Sequence, residues 1–133
     1  MLRNLVLAGF VAAGSLQGAP QATPAYDAKF TAADGVVYTG TTTFAVDAKG
    51  GVSGKMKLVD PLEVIGTLAG TVKQGTWTFE FPYEIPQQSC TGTVKGTAKV
   101  PADQKVIEGK GIAGGACAEQ PLDLTFTLTR QAK

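Results

Sequence analysis

The sequence contains no histidine, and this absence removes several classes of function at once. Without an imidazole there is no Ser-His-Asp or Cys-His catalysis, no histidine-ligated metal and no histidine pH switch. Carboxylates remain as candidates for catalysis. Glu80 and Glu84 share one face of a predicted strand but lie roughly 13 Å apart, which exceeds the spacing of paired glycosidase carboxylates. We therefore expect a protein that is not an enzyme and that has no cofactor.

The sequence also lacks an excess of charge of either sign. It has 12 basic and 11 acidic residues, and the basic residues form no block. Proteins that bind nucleic acid through its phosphates carry a basic patch that neutralises them. The composition therefore predicts no nucleic-acid partner.

The apolar run at the N-terminus is too short to cross a membrane as a helix. Arg3 makes the start of the chain cationic, residues 5–13 are apolar, and residues 14–19 are mostly small. A transmembrane helix needs about 20 apolar residues, whereas this order is typical of a secretory signal peptide. We predict a signal peptide over 1–22, cleaved at about 18–22, and a single domain over 23–133. The predicted location is secreted or periplasmic.

Cysteine is scarce, since Cys90 and Cys117 are the only two. An even number of cysteines in an exported chain favours a disulfide. Closing a loop of this size stabilises a protein by roughly 3 kcal/mol in the chain-entropy model. Two thiolates cannot fill a tetrahedral metal shell by themselves, so we expect no metal site.

No stretch has an apolar stripe at helical spacing; from Ala25 onward apolar and polar residues alternate instead. Such alternation indicates antiparallel strands with one buried and one solvated face. Turn residues divide the chain into eight strands with mostly short connections, which indicates a meander. The predicted fold is all-β, an antiparallel eight-stranded meander closed into a barrel, with two packed four-stranded sheets as the alternative. An outer face of Thr and Lys argues against a barrel that spans a membrane.

The two halves of the predicted domain resemble each other. Thr39-Gly40-Thr41 corresponds to Thr91-Gly92-Thr93, and the segment 61–64 corresponds to 121–124. Two four-stranded pseudo-repeats, over 25–73 and 76–130, are therefore a further hypothesis. Strand two is predicted to run from Val36 to Val46 and strand four from Leu62 to Val72, each without interruption.

Aromatic residues are few, and strand five concentrates them on its predicted inner face at Trp77, Phe79, Phe81 and Tyr83. The predicted inner faces of strands four and six are rich in glycine. Large rings laid over glycines fill the space that missing side chains leave. This pattern supports two interpretations, which are a tightly packed core and a ligand cavity with aromatic walls.

The meander also assigns the two ends of the barrel. Odd strands run up and even strands run down, so both cysteines and the two longest connections, 86–89 and 114–121, fall at the upper end, and the lower end has tight turns. Loops on a rigid scaffold carry function more often than the scaffold does. The predicted ligand-binding residues at this end are Tyr38, Tyr83, Gln87 and Gln88.

The leading functional hypothesis is non-catalytic binding of a small, largely apolar ligand at the upper end. The alternative is an extracellular interaction or structural module that recognises a protein or a glycan through its loops or its Thr-rich outer face. Pockets for small molecules typically enclose about 300 Å³ or more, so an interior cavity separates the two hypotheses.

Overall fold

The alternation along the chain produces ten antiparallel strands in the computed structural model, which describes residues 24–131. The predicted signal peptide lies outside the described residues. The strands are β1 (Ala25–Ala32), β2 (Val37–Thr43), β3 (Ala45–Val46), β4 (Val52–Asp60), β5 (Val64–Leu68), β6 (Thr71–Lys73), β7 (Thr76–Ile85), β8 (Cys90–Lys99), β9 (Val106–Gly115) and β10 (Leu122–Arg130). A short 3-10 turn, Pro86–Gln88, links β7 to β8. Among residues 24–131, the structure contains no helix with the length and apolar character needed to span a bilayer.

Eight of these strands close into a barrel. Their order is β2-β1-β10-β9-β8-β7-β5-β4, and a further pairing between β2 and β4 closes the ring. Strands β3 and β6 are short additions that pair with β4 and β7. The predicted all-β meander barrel is therefore confirmed, and the alternative of two separate sheets is wrong because the pairing is continuous around the ring.

Predicted strands two and four are each interrupted, contrary to expectation. Strand two divides into β2 and β3, where the Thr43 hydroxyl accepts a hydrogen bond from the Lys55 N–H at 2.9 Å. The main chain of Gly54 packs against the Thr43 carbonyl there, leaving no room for a Cβ. Strand four divides into β5 and β6 around Gly70, which has a φ of 123° that side chains rarely adopt. Both interruptions turn a corner of the barrel.

The lower half of the interior is filled by aromatic side chains. Trp77, which is 1% exposed, packs against Phe44 with ring centroids 5.1 Å apart and against Phe79 at 4.7 Å. Tyr26 packs edge-on against Phe44, and its hydroxyl donates a hydrogen bond of 2.6 Å to the Gln104 carbonyl. These rings close the lower end of the barrel.

The predicted disulfide is confirmed. Cys90 at the start of β8 is bonded to Cys117 in the connection between β9 and β10, with their Cα atoms 5.2 Å apart. The bond therefore attaches the connection 116–121 to the barrel wall at the upper end.

Candidate functional site

The upper end of the barrel, where β1, β4, β7 and β9 finish, carries the connections 33–36, 61–63, 86–89 and 116–121. The lower end carries 47–51, 74–75 and 100–105. The expectation that the two longest connections lie at the upper end and tight turns at the lower end is wrong. At the lower end, 100–105 is as long as 116–121, and 47–51 is longer than 86–89. The ends differ instead in what fills the interior behind them.

A cavity of about 100 Å³ opens at the upper end, above the aromatic rings of the lower half. It is smaller than the roughly 300 Å³ of a typical ligand pocket, so it suits only a small molecule. Its wall is apolar except at two tyrosines, and no charged side chain belongs to it. The apolar lining consists of Phe30, Ala32, Met56, Leu58, Val64, Ile85, Val94, Ala113, Cys117, Ala118, Leu122 and Leu124.

The two tyrosines in this wall are Tyr38 and Tyr83, as placed by the meander argument. Tyr83 is 8% exposed, and its hydroxyl lies 3.5 Å from the Gly114 carbonyl oxygen. Burial raises the pKa of the Tyr83 hydroxyl above its ordinary value, and Tyr38 beside it raises that pKa further. The Tyr83 hydroxyl is therefore neutral at physiological pH.

Gln87 and Gln88 lie outside this cavity. Both side chains are exposed on the 3-10 turn between β7 and β8, and the Gln88 side-chain carbonyl lies 3.9 Å from the Cys90 sulfur rather than in the cavity wall. The Gln87 side-chain carbonyl accepts a hydrogen bond of 3.1 Å from the Glu63 N–H. Gln87 thus connects two upper loops, and the structure does not bring either glutamine to the tyrosines.

The connection 116–121 contributes cavity residues that the sequence argument did not assign. Cys117 and Ala118 line the cavity, and the Ala116 N–H holds the connection to the Thr91 carbonyl at 3.0 Å. Most of the remaining lining was predicted to face inward but was not assigned to the site. These residues could have been assigned from their positions, because inward-facing residues near the upper ends of the strands must surround any opening there.

Depressions larger than this cavity lie on the outer face. One of about 580 Å³ crosses β8, β9, β10 and β1, and another of about 600 Å³ lies over β10, β1 and β2. Both are open to solvent. Across the first, the cross-strand neighbours are Thr97, Lys110, Thr125 and Thr31 in that order. Every aromatic residue within 24–131 belongs to the core or packs against it, so neither depression offers a ring.

Metal coordination has no candidate in the part of the chain that the structure describes. No group of three or more His, Cys, Asp or Glu side chains lies close enough there to hold an ion. The chemical groups of the site are therefore its apolar wall and the hydroxyl groups of Tyr38 and Tyr83.

Fold and cavity together define an eight-stranded antiparallel β-barrel with a small opening at one end. No family model and no curated protein matches the sequence. A redesigned β-barrel is similar in structure, with a TM-score of 0.64 and 19% identity over 83% of this chain and 91% of that one. A fluorescence-activating β-barrel designed de novo has a TM-score of 0.59 and 16% identity over 82% and 93%. EF1p2_mFAP2b bound to DFHBI has a TM-score of 0.58 and 17% identity over 82% and 93%. At these identities the likeness shows the fold alone.

Proposed function

We propose that this protein is a non-catalytic, secreted or periplasmic barrel that binds a small, largely apolar molecule in the upper cavity. The observation that carries the proposal is the asymmetry of the interior. Aromatic rings such as Trp77 and Phe44 fill the lower half, whereas the upper half encloses about 100 Å³ between apolar walls. An apolar cavity of 150 Å³ is known to stay dry and to take up benzene.

The similar barrels support the same kind of use. One of them is fluorescence-activating, and another is bound to DFHBI. A closed barrel of this size can thus have enough interior space to hold a small molecule. Cavity volume limits the ligand of the present protein to a compact one.

The predicted location has separate support. The disulfide between Cys90 and Cys117 agrees with an oxidising compartment, where such bonds persist. The signal-peptide pattern over 1–22 points to the same compartment.

Recognition of a glycan through the outer face is the weaker alternative. The outer depressions are larger than the cavity, and threonine and lysine side chains line them. Within residues 24–131, however, no aromatic ring is available on that face to stack on a sugar. The cavity is therefore the better-supported site.

A matched pair of substitutions on β9 tests the proposal. Ala113 is buried and lines the cavity, whereas its neighbour Ile112 points outward and is 49% exposed. Ala113→Leu should fill the cavity and weaken toluene binding by about tenfold or more. Ile112→Leu should leave toluene binding unchanged.

Binding can be measured by titrating toluene while observing the methyl resonances of the protein. The Met56 methyl group is a direct reporter because Met56 lines the cavity. The proposal is wrong if toluene produces no saturable shift in the unsubstituted protein. It is also wrong if Ala113→Leu and Ile112→Leu bind toluene equally well.

A further inference from the structure

Two buried tyrosines of this barrel differ in how their hydroxyl groups are satisfied. At the lower end, the Tyr26 hydroxyl donates to the Gln104 carbonyl at 2.6 Å. At the upper end, the Tyr83 hydroxyl lies 3.5 Å from the Gly114 carbonyl. Hydroxyl hydrogen bonds are normally about 2.7–2.8 Å long, so the Tyr83 hydroxyl makes only a long, weak hydrogen bond.

A poorly satisfied hydroxyl is unusual at this depth. Tyr83 is 8% exposed, and buried polar groups nearly always have a partner at good distance. The Tyr83 side chain lines the upper cavity, so a molecule inside can supply the missing acceptor. Tyr26 needs no such partner, and its end of the barrel is closed by rings.

The rest of the wall restricts the charge of that molecule. No Lys or Arg side chain belongs to the cavity lining, so an anion would lose its hydration without gaining a counter-charge. Burial holds the Tyr83 hydroxyl in its neutral form because it raises the pKa of that group. A cation would also lack a carboxylate partner. The cavity therefore suits a neutral molecule.

The volume restricts its size. About 100 Å³ lies between the walls, which is less than the 150 Å³ cavity that holds one benzene ring. One ring already needs slightly more room than this, so a one-ring ligand must press the wall outward, and a second ring does not fit.

We propose that the upper cavity selects a neutral, single-ring molecule whose one oxygen atom accepts a hydrogen bond from the Tyr83 hydroxyl, with Tyr38 in the same wall. This inference rests on the proposed function, because it names the class of ligand for that site. In this arrangement the oxygen would face Tyr83, and the ring would contact apolar lining residues such as Met56 and Val94.

Three one-ring probes with a common frame test the inference at pH 7. Toluene has no oxygen, p-cresol adds a neutral hydroxyl, and p-toluate adds a charged carboxylate. Their affinities are measured by calorimetry for the full barrel and for Tyr83→Phe, which removes the hydroxyl and keeps the ring. We expect Tyr83→Phe to weaken p-cresol about 3- to 10-fold and toluene less than twofold. We expect p-toluate to bind at least about tenfold more weakly than p-cresol.

Tyr26→Phe is the matched control, because it deletes a hydroxyl at the closed end. It should change the affinity of neither toluene nor p-cresol. Tyr38→Phe serves as the second variant at the cavity, and it should weaken p-cresol more than toluene.

The possible results separate the two proposals. If toluene and p-cresol bind but Tyr83→Phe and Tyr38→Phe weaken both equally or not at all, the class of ligand is wrong and the cavity function stands. If p-toluate binds as tightly as p-cresol, selection for a neutral ligand is wrong. If none of the three probes binds, the proposed function fails together with this inference.

Discussion

The ring of Tyr83 lies directly against the main chain of Gly92, its cross-strand partner in β8. A Cβ atom at Gly92 would lie 2.6 Å from both Cε1 and Cζ of that ring. Gly92 thus provides the space in which the ring can turn flat against the sheet and form the wall of the cavity. Phe79 is likewise paired across strands with a glycine, Gly96, but its ring lies nearer to Gly111, where an added Cβ would be 3.3 Å from its Cε1.

Replacing Gly92 should therefore disturb the wall as well as the fold. Gly92→Ala is expected to destabilise the protein by about 1–3 kcal/mol, because the new methyl group meets the Tyr83 ring and the Gly114 carbonyl. Gly114→Ala is the control, since a Cβ there would meet no atom within 4 Å. That variant should stay within about 0.5 kcal/mol in urea melts. Equal losses from both substitutions would contradict this account of the wall.

The disulfide should contribute measurably to stability. Replacing Cys90 and Cys117 together by serine should lower the free energy of unfolding by about 3 kcal/mol, because the bond closes a loop of 27 residues. For a domain of this size, such a loss lowers the melting temperature by roughly 10 °C or more. Thermal melts of the oxidised protein and of the double variant measure the difference. Two titratable thiols in native, unreduced protein would rule the bond out.

Strand β7 should be the energetic centre of the core. Phe79→Ala is expected to cost about 3–5 kcal/mol, because the ring is 2% exposed and packs against Trp77, Phe81 and Phe126. Thr78→Ala, one residue earlier on the exposed face, should cost less than about 1 kcal/mol. Urea melts compare the two directly. Similar losses of stability would mean that, in solution, β7 does not bury Phe79 and expose Thr78.

Stability should fall in alkaline solution partly because of Tyr83. Burial and then Tyr38 raise its pKa above the ordinary value of about 10, so the folded state holds this proton more tightly than the unfolded state. The contribution is fully present below pH 10 and is lost as the pH rises through the raised pKa. Tyr83→Phe should therefore make the decline in unfolding free energy above pH 10 shallower. Urea melts of both proteins at a series of pH values from 8 upward test this. The two proteins share every other titratable group, so the difference between their curves comes from Tyr83. Identical slopes would contradict the expectation.

Most of the strand pattern was accessible from the sequence because burial follows a period of two. Alternation placed Trp77 and Tyr83 on the inner face, and the meander placed Tyr38 and Tyr83 at the upper end, where the structure also has them. The corner between β2 and β3 was not accessible, since the alternation continues through Phe44 without a break. That corner depends on the approach of Gly54 to the Thr43 carbonyl, which is a contact between strands.

The candidate site could be predicted only in part, because it too depends on contacts between strands. Whether the sheet closes depends on which strands pair at its edges, here β2 with β4, and local pattern does not contain that choice. Gln87 illustrates a second limit. Its position in a polar loop beside the opening suggested a ligand contact, but the 3-10 turn aims its amide at the Glu63 N–H. Side-chain direction in a turn depends on backbone angles that composition does not specify.

The stacked rings of Phe30 and Phe126 join the first long strand of the barrel to the last, with centroids 5.0 Å apart. Because those residues are far apart in the chain, this pairing forms only when the C-terminal strand is available. Contacts between distant segments slow folding, and barrels built from them fold over milliseconds to seconds rather than microseconds. Until β10 arrives, the aromatic interior faces solvent along two open sheet edges, and an incomplete chain is then exposed to aggregation. Because the barrel is a closed ring, pairing of β10 removes both open edges and protects the other strands from aggregation.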